Sequence, residues 1–178
     1  MSRHFTIIIY LLPAASFAQI GTWNIVNLKI NTSDRLSFFG EAQLRSLKTY
    51  DHFHYYEFKG GASLTLKKNL SFTTGFGSYN TYAEGGDFKR PMANKEFRTW
   101  LQISTRQSYG RVNAEHRYRA EQRWTSYGYR NRFRYRINAT IPLNTKKIEK
   151  GTFYSILWNE IFFTDKAPYF ERNRYFAG

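Results

Sequence analysis

The chain has 178 residues, a formal net charge of +14 at pH 7, 19% aromatic side chains and no cysteine. That length suits one ordinary domain, and the lack of cysteine excludes disulfide frameworks, thiolate zinc sites and cysteine nucleophiles. Gly and Pro are too few for a disordered or collagen-like chain, and the many Tyr and Phe favour β structure.

Residues 1–18 have the three regions of a secretory signal in order. Arg3 and His4 make a basic start, and Phe5 to Leu12 is apolar apart from Thr6. Ser16-Phe17-Ala18 is a small-x-small cleavage site that would leave Gln19 first. The alternative is a buried first strand or helix. With cleavage, residues 19–178 form the single remaining domain, still strongly basic after loss of Arg3. So basic a chain suggests nucleic acid first. Export directs the charge instead to lipopolysaccharide, phospholipid headgroups or anionic solutes.

Beyond this start no apolar run approaches the ~18–20 residues of a membrane-spanning helix. The chain instead alternates polar and apolar residues with period two, the signature of strands. After a first segment at Trp23–Ile30, the second, Arg35–Arg45, sets Leu36, Phe38, Ala42 and Leu44 against Ser37, Phe39, Glu41, Gln43 and Arg45. The next, 53–66, sets Tyr56, Phe58, Ala62, Leu64 and Leu66 against Tyr55, Glu57, Lys59, Ser63 and Thr65. In 70–82, Leu70, Phe72 and Phe76 oppose Ser71, Thr73, Gly75, Gly77 and Tyr79. Phe97, Leu101 and Ile103 then oppose Glu96, Arg98, Gln102 and Arg106. Val112, Ala114, Tyr118 and Ala120 oppose Glu115, Arg117, Arg119, Glu121 and Arg123. Phe133, Tyr135, Ile137, Ala139 and Ile141 oppose Arg130, Arg132, Arg134, Arg136 and Asn138. The stretch 152–164 is apolar on both faces and its parity stays open. A further strand begins near Asn173.

Strands of roughly 10–13 residues exceed the ~5–6 usual in soluble sheets and match the ~9–11 needed to cross a bilayer at a tilt. The expectation is therefore an all-β, antiparallel, transmembrane up-and-down barrel of about eight to ten strands. Its apolar face would meet lipid and its polar face the lumen. A soluble sandwich, with the apolar face inside and every Arg in water, is the competing arrangement; a soluble periplasmic lipocalin-like barrel binding an apolar ligand is an alternative function. Connections are read as alternately short (Lys67-Lys68-Asn69, Ser108-Tyr109-Gly110) and long (Ala83 to Asn94, Asp165 to Glu171). With the short ones periplasmic, Trp23–Ile30 runs the wrong way for a first strand. Either it is not a spanning strand or a turn is misplaced.

Several stretches resemble an uncharacterised family of bacterial outer-membrane barrels, known only as a domain of unknown function. They are Gly21-Thr22-Trp23-Asn24, the segment from Leu36 to Arg45, and His54-Tyr55-Tyr56-Glu57. The glycine-bearing strand to Tyr79, Glu121-Gln122-Arg123, Trp158-Asn159-Glu160 and Asn173-Arg174 complete the set. The resemblance implies an envelope barrel, outer-membrane localisation and contact with the barrel-assembly machinery; it implies no activity. Such barrels end on a full strand with a terminal aromatic, whereas this sequence stops at Phe176-Ala177-Gly178. A truncated chain, with about ten strands in an intact relative, is the corresponding expectation.

The candidate site is the set of lumen charges: Glu41, Arg45, Glu57, Lys59, Glu96, Arg98, Glu115, Arg117, Arg119, Glu121, Arg123, Arg130, Arg132, Arg134, Arg136 and Glu160. Pairing across the Thr125–Gly128 connection sets Glu121 opposite Arg132, Arg119 opposite Arg134 and Arg117 opposite Arg136. Like charges in register are unfavourable. A Tyr109-Gly110 turn would bring Glu96 to Arg123 and Arg98 to Glu121, and Glu160 would fall near Arg134. The set is then either a salt-bridge network filling a narrow lumen or an anion-attracting passage, for which the arginine fork is suited.

Catalytic, cofactor and metal residues find no support. His116 lies on the apolar parity and Ser104 on the other, so the Ser/His/acid set of a lipid-modifying barrel enzyme is not assembled. His52 and His54 sit in an aromatic cluster without ligand-spaced partners. Gly85-Gly86 lacks the P-loop Lys and Ser/Thr. A non-enzymatic barrel without nucleic-acid partners is the leading expectation, ahead of a lipid-modifying enzyme and a soluble binder.

Overall fold

The structure, a computed structural model, describes residues 21–178. The signal segment expected at 1–18 lies outside the described residues. Nine strands follow one another: β1 Trp23–Asn31, β2 Leu36–Lys48, β3 Asp51–Lys67, β4 Leu70–Ala83, β5 Lys89–Tyr109, β6 Val112–Thr125, β7 Gly128–Pro142, β8 Tyr154–Thr164 and β9 Phe170–Ala177. Each pairs antiparallel with the next in a single sheet of order β1 to β9, the expected all-β, up-and-down architecture. Among the described residues the outer strands β1 and β9 are not paired to one another, so the sheet is open.

The period-two pattern decides which face each residue takes, and burial runs opposite to that of a soluble sheet. On β3, Glu57 is 4% exposed and its neighbour Phe58 is 59% exposed. On β7, Arg132 is 5% exposed and Phe133 51%. The outward face carries Val26, Leu28, Phe58, Phe76, Leu101 and Ile137, all exposed. The inward face buries Gln43, Glu57, Glu96, Glu121, Arg123 and Glu160.

That inward face is concave. Phe39, Gly61, Gly75 and Trp100 stand in one row across β2, β3, β4 and β5. In a flat sheet the ends of such a row would lie about 14 Å apart at ~4.8 Å per strand. The Phe39 and Trp100 ring centroids are 6.4 Å apart, because both lean over the two glycines. A Cβ on Gly75 would lie 2.3 Å from Trp100 Cζ2. The pair of glycines is thus the space the indole occupies.

The connections correct the sequence reading. β1 is a complete strand paired over its whole length with β2, so its direction is real. The rule of short turns at one end fails. Two-residue turns occur at both ends, at 49–50 and 126–127 on one and at 68–69 and 110–111 on the other. The extended connection, 143–153, shares its end with 68–69 and 110–111. It is held there by Arg111, whose Nη2 donates to the carbonyls of Pro142, Leu143 and Thr145 at 3.1, 3.0 and 2.8 Å. The connection before β5 is only 84–88, because β5 continues back through Lys89 with register irregularities opposite Tyr82 and Ala83.

Candidate functional site

The inward face of β5 to β9 carries a continuous network of carboxylates and guanidiniums. β6 and β7 pair as the alternation requires. Glu121 faces Arg132, Arg119 faces Arg134, Arg117 faces Arg136 and Arg123 faces Arg130. The three Arg–Arg oppositions would repel if each charge stayed in its own row. Apart from Arg130, the long side chains instead reach diagonally to shared carboxylates.

Glu121 is the centre. Its two oxygens receive Arg132 Nη2 at 2.6 Å, Arg134 Nη1 at 2.7 Å and, more distantly, Arg119 Nη1 at 3.7 Å. Glu160 is the second acceptor. One oxygen takes Arg117 Nη2 at 2.6 Å and Arg134 Nη2 at 2.9 Å. Arg134 therefore bridges the two carboxylates, and the opposition of Arg117 to Arg136 is relieved through β8. Arg119 is satisfied chiefly by Gln102, whose Oε1 accepts from its Nη2 at 2.6 Å and its Nε at 2.9 Å. Arg136 has only a 3.8 Å approach to Glu115, which also takes Arg106 at 2.9 Å.

Glu96 is a third centre. It forms a two-pronged pair with Arg123, with Nη2 to Oε2 at 2.9 Å and a shorter bond from Nε to Oε1. It also receives Arg98 at 2.5 and 2.9 Å. The partnership with Arg123 matches the sequence reading, but its register does not. Tyr109 pairs with Val112, so Arg98 faces Arg123 and Trp100 faces Glu121, two residues away from the expected alignment. The turn is Gly110-Arg111, because Gly110, with φ of 58°, takes the left-handed position at the start of the turn. A two-residue shift preserves parity, so every charge keeps its face while its directly opposite partner changes.

A separate cluster lies on β2 and β3. Lys59 Nζ sits 2.5 Å from Glu41 and 2.9 Å from Glu57. Arg45 donates to Gln43 at 2.9 Å and lies 4.2 Å from the Trp23 ring centroid and 4.5 Å from that of Tyr55. Glu41, Arg45, Glu57, Lys59, Glu96, Arg98, Glu115, Arg117, Arg119, Glu121, Arg123, Arg132, Arg134, Arg136 and Glu160 thus all join contacts on one face. Arg130 shares that parity but joins no ion pair among the described residues.

Four contributors lie outside the set of charges that the sequence singles out. Tyr79 lies under Arg98 at 3.8 Å, Trp100 under Arg119 at 5.3 Å, and Phe162 under Arg134 at 4.7 Å, geometries that favour a cation over a ring. Tyr79 and Trp100 share the parity of the charges, a signal available in the sequence. Glu171 had no such signal. The β8–β9 ladder slips between Phe162 and Phe163, which pair with Arg172 and Phe170, leaving Glu171 as the extra residue of a bulge. Bulges re-aim side chains, and Glu171 turns inward to within 3.5 Å of Arg132 and 3.7 Å of Arg123.

Ser104 and His116 lie on opposite faces, as their parities require. His116 Nδ1 is 2.8 Å from the Tyr135 hydroxyl, and Ser104 accepts from Gln102 at 3.2 Å. His52 pairs with its neighbour Asp51 at 2.7 Å. Outside the strands, Asp165 accepts from the Asn131 main-chain N–H at 2.9 Å and its side-chain amide at 2.7 Å. These bonds hold its carboxyl below the ordinary range.

Among known proteins, the family described as Protein of unknown function (DUF2490) matches residues 20–178. No curated protein and no solved structure is similar enough to register as a match. With the family spanning the whole of the described sheet, this chain belongs to DUF2490, a family of proteins of unknown function.

Proposed function

We propose that this chain is a non-enzymatic β-barrel protein of the bacterial outer membrane, exported by a signal at 1–18, with the charged face turned to its interior. The observation that carries the reading is the inverted burial: Glu57 and Arg132 are enclosed while Phe58 and Phe133 stand open. In water, a broad sheet face of exposed Phe, Leu and Ile is unfavourable; against lipid tails it is the required surface. Strands of 13 to 21 residues from β2 to β7 exceed the ~9–11 that a tilted crossing takes. Outer-membrane lipid, lipopolysaccharide and the assembly machinery are the partners this placement entails.

Within that barrel the network is primarily packing. Glu96, Glu121 and Glu160 each bind two or more guanidiniums, which fills the space between β5 and β8 with paired charge. A second reading, a narrow anion-preferring passage, draws on Arg119 and Arg136, whose nearest carboxylates stand 3.7 and 3.8 Å away. A lipid-modifying enzyme and a soluble lipocalin-like binder are less well supported, the former by the separation of Ser104 from His116, the latter by the exposed apolar face.

Fractionation of cells expressing the full chain tests the main reading. Recovery with outer membranes, released only by detergent, is the expected result; a periplasmic fraction soluble without detergent would overturn it. Planar-bilayer recordings separate the two interior readings. A packed interior gives no steady conductance. A passage gives anion selectivity that falls when Arg132, Arg134 and Arg136 are all changed to Gln.

A further inference from the structure

At one end of the charged face, the β6–β7 turn and the β8–β9 connection border a cavity of 530 Å³. Arg123, Arg130, Lys166, Glu171, Tyr127 and Tyr129 line it. Its lining holds three cations, Arg123, Arg130 and Lys166, and one carboxylate, Glu171. Arg130 makes no ion pair or side-chain hydrogen bond among the described residues, and it stands directly opposite Arg123 in the ladder, an unfavourable juxtaposition without an anion between them. Lys166 donates to the Tyr129 carbonyl at 2.6 Å and, although its charge acts on the neighbouring Asp165, forms no salt bridge among the described residues.

Arg123 supplies an independent sign. Its side chain is only 6% exposed. Nε and Nη2 are taken by Glu96, but Nη1 is buried without a hydrogen-bond acceptor among the described residues. The nearest carboxylate oxygen, Glu171 Oε2, stops 3.7 Å away and is itself buried without a donor. A guanidinium N–H left unbonded in an enclosed place is costly, and natural structures fill such vacancies with a partner. Glu171, carried on the bulge and drawn to Arg172 at 2.6 Å, fills this one incompletely.

We propose that this cavity is a binding site for a small anionic sugar, a hexose-sized ligand bearing a phosphate or carboxylate. The anion occupies the space between Arg130, Lys166 and Nη1 of Arg123, and the sugar ring lies against the exposed ring of Tyr127 at the turn. Glu171 acts as an internal competitor, holding part of the anion's place when the site is empty. The cavity volume admits such a ligand, being within the ~300–1,000 Å³ typical of small-molecule sites. The inference is independent of whether the sheet crosses a membrane.

Calorimetry on the full chain, folded in a neutral detergent, tests this with glucose 6-phosphate, galacturonate, inorganic phosphate and uncharged glucose. Saturable binding of the two anionic sugars, weaker binding of phosphate and none of glucose is expected. Arg130→Gln and Lys166→Gln should each weaken binding by about tenfold, the scale of one charge-assisted hydrogen bond. Glu171→Gln should tighten it. Thermal melts of each variant establish that the fold is kept, and Lys147→Gln on the distant 143–153 connection should bind as the parent does. The proposal is overturned by a parent that binds neither sugar. Unchanged affinity in both rim variants, or weaker binding in Glu171→Gln, also overturns it. The same phosphate could be offered by a glycolipid headgroup. Flotation with phosphatidylcholine vesicles, with and without lipopolysaccharide, distinguishes the source: retention that needs both lipopolysaccharide and Arg130 assigns the headgroup, and soluble-sugar binding alone assigns a free solute.

Discussion

Glu121 on β6 and Arg132 on β7 face one another in the ladder and are joined at 2.6 and 2.8 Å, with the Glu121 carboxylate almost wholly enclosed. Removing that carboxylate strands Arg132 and Arg134 without their shared partner. Glu121→Gln should cost about 3–5 kcal/mol, the scale for breaking a buried pair from one side. Glu115→Gln, whose close partner Arg106 is open to solvent and whose second partner Arg136 stands 3.8 Å away, should cost under about 1 kcal/mol. Urea unfolding in detergent micelles compares the two; equal losses would sink the distinction between packed and peripheral pairs.

A cation on the outward face tests its contact with lipid. Ile137 is on β7, on the same face as Phe133 and Tyr135. Ile137→Arg should reduce assembly into membranes, since a midplane Arg costs about 2–4 kcal/mol. Heat-modifiable mobility on gels measures the folded fraction. Assembly equal to the parent's would mean that the face does not meet lipid.

Gly75 leaves room for an indole. Its added Cβ would meet Trp100 Cζ2 at 2.3 Å and the Gly60 carbonyl oxygen at 2.9 Å. Gly75→Ala should therefore displace Trp100 from Phe39 and destabilise by roughly 1–3 kcal/mol, as overpacking does. The near-ultraviolet circular dichroism should change with it. An unaltered spectrum would show that the indole has another place to go.

Acid should loosen the β8–β9 connection. Asp165 is held below its ordinary carboxyl range by Asn131, so its charged form favours the folded state. That contribution is present above the ordinary value and is lost as pH falls through the lowered one. The melting temperature of the parent should exceed that of Asp165→Ala at neutral pH, and the gap should narrow under acid. A gap independent of pH would assign the effect to packing.

Much of this molecule follows from alternation alone. A strand turns each successive side chain to the opposite face, so Glu57 and Phe58, or Arg132 and Phe133, are separated before any partner is known. The Gly128 turn also sets the β6–β7 register, and with it the pairing of Glu121 to Arg132. Tertiary structure decided the rest. The register of β5 depended on which turn position Gly110 took, and a slip of two residues is invisible to a period of two. Glu171 joined the network through a bulge, which breaks that period. The side of Phe162 was hidden because 152–164 is apolar on both parities. Curvature decided which carboxylates serve which guanidiniums, because long side chains on a concave face reach past their own row. Alternation is a property of the local backbone, whereas shared ion pairs and the Phe39–Trp100 contact need strands distant in sequence brought together.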